Sequence, residues 1–181
     1  MKRTLLLFIC LVVFSKFTSA QSKKDTNNIP GNIPDADHYF QKKSPVRSLR
    51  MDEYNAYLNG TDLTRRSYIA ELNHYPLPDK LLQYKKELDL SPSQIAGINN
   101  VVKFLQMKKK EIGESVIRNE KTLDSLFRTR KVDEGSIIFF GNRYGLYEGE
   151  YRTAVLQACY KTQKLLTERQ IKKFEALQKH N

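Results

Sequence analysis

The spacing of apolar residues between Ile98 and Leu126 constrains this chain more than any other feature. Ile98, Val102, Leu105, Lys109, Ile112, Val116, Asn119, Leu123 and Leu126 follow one another at alternating steps of four and three. That period places all nine on one stripe of an α-helix, whereas a strand would send successive side chains to opposite faces. A helix opened at Ser91 and running to about Arg130 would be roughly 60 Å long at 1.5 Å per residue. Its stripe needs other helices to cover it. Lys109 and Asn119 interrupt the stripe, and a polar residue in such a seam either sets register or lies at its edge.

The stretch RKVDEGS breaks the pattern, and Asp133 or Ser136 is suited to cap the helix that follows. That helix carries Ile137, Phe140, Tyr144, Tyr147, Tyr151, Val155, Ala158 and Leu165 on one face. Gly141, Gly145 and Gly149 fall inside it at i, i+4 and i+8, each costing about 1 kcal/mol relative to Ala. They mark either a ridge bare of side chains, which another helix or a bound chain approaches closely, or a bend; the aromatic spacing that continues through them favours helix. A last helix bears Ile171, Phe174 and Leu177, and a short amphipathic one is expected over 79–89. Upstream, SLRMDEYNAYL reads as a short helix and Asn59-Gly60 as a turn. The fold class is all-α: a long antiparallel helical hairpin with short flanking helices and a partly irregular N-terminal extension.

The first 20 residues have a different character. Lys2 and Arg3 precede an apolar run from Leu5 to Phe14, and Thr18-Ser19-Ala20 supplies small residues before Gln21. This is the pattern of a cleaved export signal, and its run is too short to span a bilayer, which takes about 20 apolar residues. Residues 21–78 then form a polar tether and a mixed extension, and residues 79–181 the helical domain. No stable membrane insertion is expected. Losing the leader takes Lys plus Arg from 31 to 28 against 20 acidic residues, a net charge of about +8. Such a surface attracts nucleic acid, anionic lipid or acidic polypeptide, or merely stays solvated; export removes nucleic acid from the expected partners. Of the two cysteines only Cys159 follows the leader, so the fold rests on its apolar core, and the run AVLQACY places that thiol inside it.

Catalytic chemistry finds little support. His38, His74 and His180 are scattered, and the chain contains no H-E-x-x-H, no G-x-S-x-G and no phosphate loop. Met107, Cys159 and His180 are the metal-ligand types of the helical region, far apart in sequence. No enzyme activity, cofactor or metal is expected.

One pattern occurs twice. LSPSQI (Leu90–Ile95) and LTERQI (Leu166–Ile171) each place Ser or Thr three residues before Gln, with Leu ahead and Ile behind. Ser91 with Gln94, and Thr167 with Gln170, make capping boxes, while Leu90–Ile95 and Leu166–Ile171 hold the positions of a hydrophobic staple. Pro92 suits the first helical position. The pair, set around a long helical region and behind an export signal, resembles the LTxxQ signature of the CpxP/Spy-type periplasmic proteins. The first copy departs from it by Ser91 in place of Thr, and the likeness covers about residues 79–181.

The resemblance implies a periplasmic all-α protein, often a homodimer, in a family of ATP-independent chaperones, stress-signalling adaptors and metal-responsive relatives. The chaperone branch implies capture of unfolded envelope proteins on a basic helical surface. Lys103, Lys110 and Arg118 would attract such chains, and Phe104 and Met107, off the main seam, would hold them. The alternative is a periplasmic metal sensor or a signalling regulator docked on a membrane protein.

Overall fold

The computed structural model describes residues 43–179, which belong to the second of two units into which the chain divides after Ala36. The leader, the tether up to residue 42, His38 and His180 lie outside the described residues. Six helices and no strand occur among those described: α1 Met51–Asn59, α2 Tyr68–Leu72, α3 Pro78–Gln83, α4 Pro92–Arg128, α5 Glu134–Lys164 and α6 Glu168–Lys179. The all-α reading is correct.

The stripe on α4 does what its spacing requires. Ile98, Leu105, Ile112 and Val116 are buried, and so are the two polar interruptions, Lys109 and Asn119. Asn119 is no edge residue: its Nδ2 donates to the carbonyl of Phe140 at 3.1 Å, tying α4 to α5. Contacts between these two helices run in opposite chain order. Gln94 bonds to the Leu165 carbonyl, Phe104 faces Gln157 and Lys161 across a groove, and Asn119 reaches Phe140.

On α5, Tyr151, Val155 and Ala158 enter the core, and Phe140, Tyr147 and Leu165 are half-buried. Ile137 and Tyr144, expected on the same buried face, are instead exposed. Tyr144 lines an open pocket with Arg50, Glu53 and Tyr57, and Ile137 lies near the start of α5 beside the α4–α5 connection. The helix runs unbroken through its three glycines.

The residues before α3 complete the main core. Val46, Leu49 and Tyr57 pack with Leu105, Ile112, Val116, Tyr151, Val155 and Ala158. Burying each large apolar side chain contributes about 1.5–3 kcal/mol. Helix α1 lies so close to α4 that a Cβ on Gly113 would sit 2.1 Å from the Tyr57 carbonyl oxygen. Gly60, at φ +69°, closes α1 with a left-handed cap that L-residues with side chains adopt reluctantly.

A second core joins Leu81, Leu88, Leu90, Ile98 and Phe174. Helix α3, expected to reach Asp89, stops at Gln83. Leu88 and Leu90 are both buried, yet residues two apart lie about 200° apart on a helix and could not share one core. The chain leaves the helix at Tyr84, turns, and passes through Asp89 at φ +50°. Helix α4 ends at Arg128, with Arg130 at φ +55° in the following turn.

Candidate functional site: an open groove beside a glycine ridge

Both repeated motifs cap helices as expected. Ser91 Oγ accepts from Gln94 N at 3.2 Å and Gln94 Oε1 from Ser91 N at 2.9 Å. Thr167 Oγ1 accepts from Gln170 N at 3.3 Å and Gln170 Oε1 from Thr167 N at 3.0 Å. The motifs also meet. Gln94 Nε2 donates to Gln170 Oε1 at 2.8 Å, and Gln170 Nε2 returns the bond to Gln94 Oε1 at 3.1 Å. Their amide groups reach onward to the carbonyls of Leu165 and Leu88. Leu90 and Leu166 lie in the adjoining apolar cluster. With every polar atom of both amides occupied, this is a structural clasp and leaves nothing free for a ligand.

The open surface lies elsewhere, between α4 and α5. A groove of about 650 Å³ is walled by Phe104 and Leu146, lined along α5 by Gly145 and Gly149, and floored by Ile112 and Ala154. Phe104 is 48% exposed and Leu146 is 58% exposed. A Cβ built on Gly141, Gly145 or Gly149 would meet nothing within 4 Å, so no internal packing offsets the helical cost of these glycines. The groove therefore offers two apolar walls and a strip where a backbone can come close. Lys108 and Glu111 pair at 2.8 Å on its rim, and the Lys161 ammonium stands 5.3 Å from the Phe104 ring.

Phe104 is thus the expected binding residue that lines the groove. Met107 is exposed one turn further along α4, at 54%. Lys103 and Lys110 are exposed on the far flank of the helix, and Lys110 runs beside the Gly60 turn of α1. Arg118 is exposed but engaged, at 3.5 Å from Glu114 and 3.0 Å from Ser115 Oγ. The five do not form one cluster.

Sequence reasoning singled out the glycines but missed Leu146, which belongs to no apolar face of α5. It also missed the polar network behind the groove. Buried Arg66 donates to Asp62 at 2.7 Å and Glu148 at 2.5 Å, and its guanidinium lies 4.2 Å from the Tyr151 ring centroid. Tyr57 OH donates to the other oxygen of Glu148 at 2.7 Å. These bonds fasten the 57–66 segment to α5 directly beside Gly149. Burial alone would raise the Asp62 pKa, but the backbone N–H groups of Arg66 and Thr64 and the Arg66 guanidinium outweigh it and hold this carboxyl below its usual range. Burial pushes the Tyr151 phenol up to about 12 and, with nearby Glu71 adding to it, the Cys159 thiol up to about 12. A thiol held protonated in the core is unreactive.

Met107 is on the surface and Cys159 fully buried. Among the described residues no group of three or more His, Cys, Asp or Glu side chains is placed to hold a metal ion, and no helix is long and apolar enough to cross a membrane. Compared with known proteins, the chain has no significant match to a family model, a curated protein or a solved structure.

Proposed function

We propose that this protein is a periplasmic, ATP-independent chaperone or envelope-stress accessory protein that holds unfolded polypeptide on the α4–α5 surface. The observation that carries this reading is the open groove between Phe104 and Leu146, with Gly145 and Gly149 along one side. A monomeric fold gains nothing by exposing two large apolar side chains across bare helix backbone. An extended chain gains a pocket for alternate side chains on the apolar walls and close approach of its backbone to the glycines.

The basic surface of α4 supplies long-range attraction, and the apolar contacts hold the chain after encounter. Capture of this kind is reversible and involves neither nucleotide nor covalent step. A homodimer would double the surface and raise the effective concentration of binding sites for one client. The placement in the periplasm rests on the export signal and the LTxxQ resemblance.

The test is light scattering of an aggregating, chemically unfolded client, with the chain from Gln21 onward added, no ATP, and EDTA present. The expected result is dose-dependent suppression near stoichiometric ratios, weakened by salt and largely lost in F104D/L146D. No suppression, where an established holdase succeeds, overturns the reading and points to a dedicated membrane or metal partner.

A further inference from the structure

The turn joining α4 to α5 carries an apolar surface that neither the core nor the groove uses. Phe127, Ile137, Ile138 and Phe139 lie close together in sequence around this turn, each between 47% and 56% exposed. Four consecutive apolar residues, Ile137 to Phe140, open α5, and only Phe140 is appreciably covered. Runs of this kind on a folded surface are errors unless they serve a purpose.

Two further features point to the purpose. The first is direction. Residues 137, 138 and 139 project about 100° apart around the helix, so no single flat partner covers all three. A fluid apolar medium does. The second is charge. Arg128, Arg130 and Lys131 are exposed in the same turn, and none makes an ion pair with a described residue. Arg143 adds a fourth cation, its guanidinium 5.2 Å from the Phe139 ring and bonded to the Tyr147 hydroxyl. The acids nearby are Asp133, whose carboxylate caps Ser136 N at 2.6 Å, exposed Glu134, and Asp124, one turn before Arg128 and paired with Arg47 at 3.2 Å. A second copy docking turn to turn would bring the same cations face to face, so a self-contact here is opposed by its own charge.

We propose that this turn is a peripheral membrane-docking tip that inserts Ile137, Ile138 and Phe139 into an anionic phospholipid surface while Arg128, Arg130, Lys131 and Arg143 contact headgroups. Amphipathic elements of this composition bury their apolar side chains about 5–10 Å into the headgroup–acyl boundary. The docking is superficial and reversible, and it is independent of client holding in the groove.

Vesicle flotation tests it, using the chain from Gln21 onward so that the leader makes no contribution. Vesicles of mixed phosphatidylglycerol and phosphatidylcholine are compared with phosphatidylcholine alone. The protein is expected to float with the anionic vesicles and not with the neutral ones, and to be released by salt. R130Q and K131Q should each weaken binding about fivefold, and together about 25-fold. I138D/F139D should abolish flotation with a nearly unchanged helical spectrum, since both side chains are exposed and carry no core packing. Equal flotation on the two vesicle types, or I138D/F139D floating like the parent, overturns the proposal.

Discussion

Gln94 and Gln170, 76 residues apart in the chain, exchange hydrogen bonds through their side-chain amides while each caps its own helix. The two copies of the motif therefore act as one object. Each starts a helix, and together they hold the start of α4 to the start of α6.

Removing either amide should be costly beyond the loss of a cap. Gln94→Ala deletes the bonds to Ser91 N, Leu165 O and Gln170, leaving a half-buried partner amide short of partners. At about 1 kcal/mol per net hydrogen bond, a loss of about 2–3 kcal/mol is expected in urea unfolding. The double variant Gln94→Ala/Gln170→Ala should cost less than the two single losses combined, by about 1 kcal/mol, because the same clasp is broken once.

Two glycines on the long helices should respond in opposite directions. Gly113→Ala drives a Cβ to 2.1 Å from the Tyr57 carbonyl, a backbone atom that moves only if α1 separates from α4. A loss of at least about 3 kcal/mol is expected. Gly141→Ala meets nothing within 4 Å and removes the helical cost of glycine, so it should raise stability by about 1 kcal/mol. Thermal unfolding of the pair reads both signs.

Filling the ridge separates stability from function. Gly145→Leu is expected to leave thermal stability unchanged or slightly raised, because leucine is the better helix former by about 0.8 kcal/mol. The same substitution places a large side chain beside the groove wall and should weaken client holding in the light-scattering assay. Undiminished holding by a folded Gly145→Leu protein would argue against the groove.

The network at Arg66 makes stability depend on pH and on charge balance. Arg66→Leu leaves Asp62 and Glu148 without their cation and should cost about 3 kcal/mol. Asp62 has a folded-state pKa below its unfolded value, so its contribution is present above the ordinary carboxylate range near 4 and fades as pH falls through the folded value. Urea midpoints measured down an acidic series should fall less steeply for Asp62→Asn, from a lower starting point.

The Tyr151 hydroxyl is buried without a hydrogen-bond partner among the described residues. Tyr151→Phe keeps the ring under Arg66 and removes an unsatisfied donor. It should be neutral or stabilising by up to about 1 kcal/mol in the same unfolding experiment.

By itself the sequence determined what depends on neighbours in the chain. The period of the α4 stripe, the capping boxes at Ser91 and Thr167, the Asp133–Ser136 cap and the helical course through Gly141, Gly145 and Gly149 are local matters of spacing and backbone hydrogen bonding. Only tertiary structure decided where those helices meet. That the chain turns left-handed at Asp89 so that Leu88 and Leu90 are both buried, that Gly113 lies under Tyr57, that Arg66 answers to Glu148, and that Leu146 walls a groove with Phe104 all depend on distant segments. So does the exposure of Ile137 and Tyr144, whose period matches that of buried Tyr151 and Val155. Periodicity tells which side chains share a face, but burial requires another element to cover it, and which elements do so is decided by segments distant in the chain.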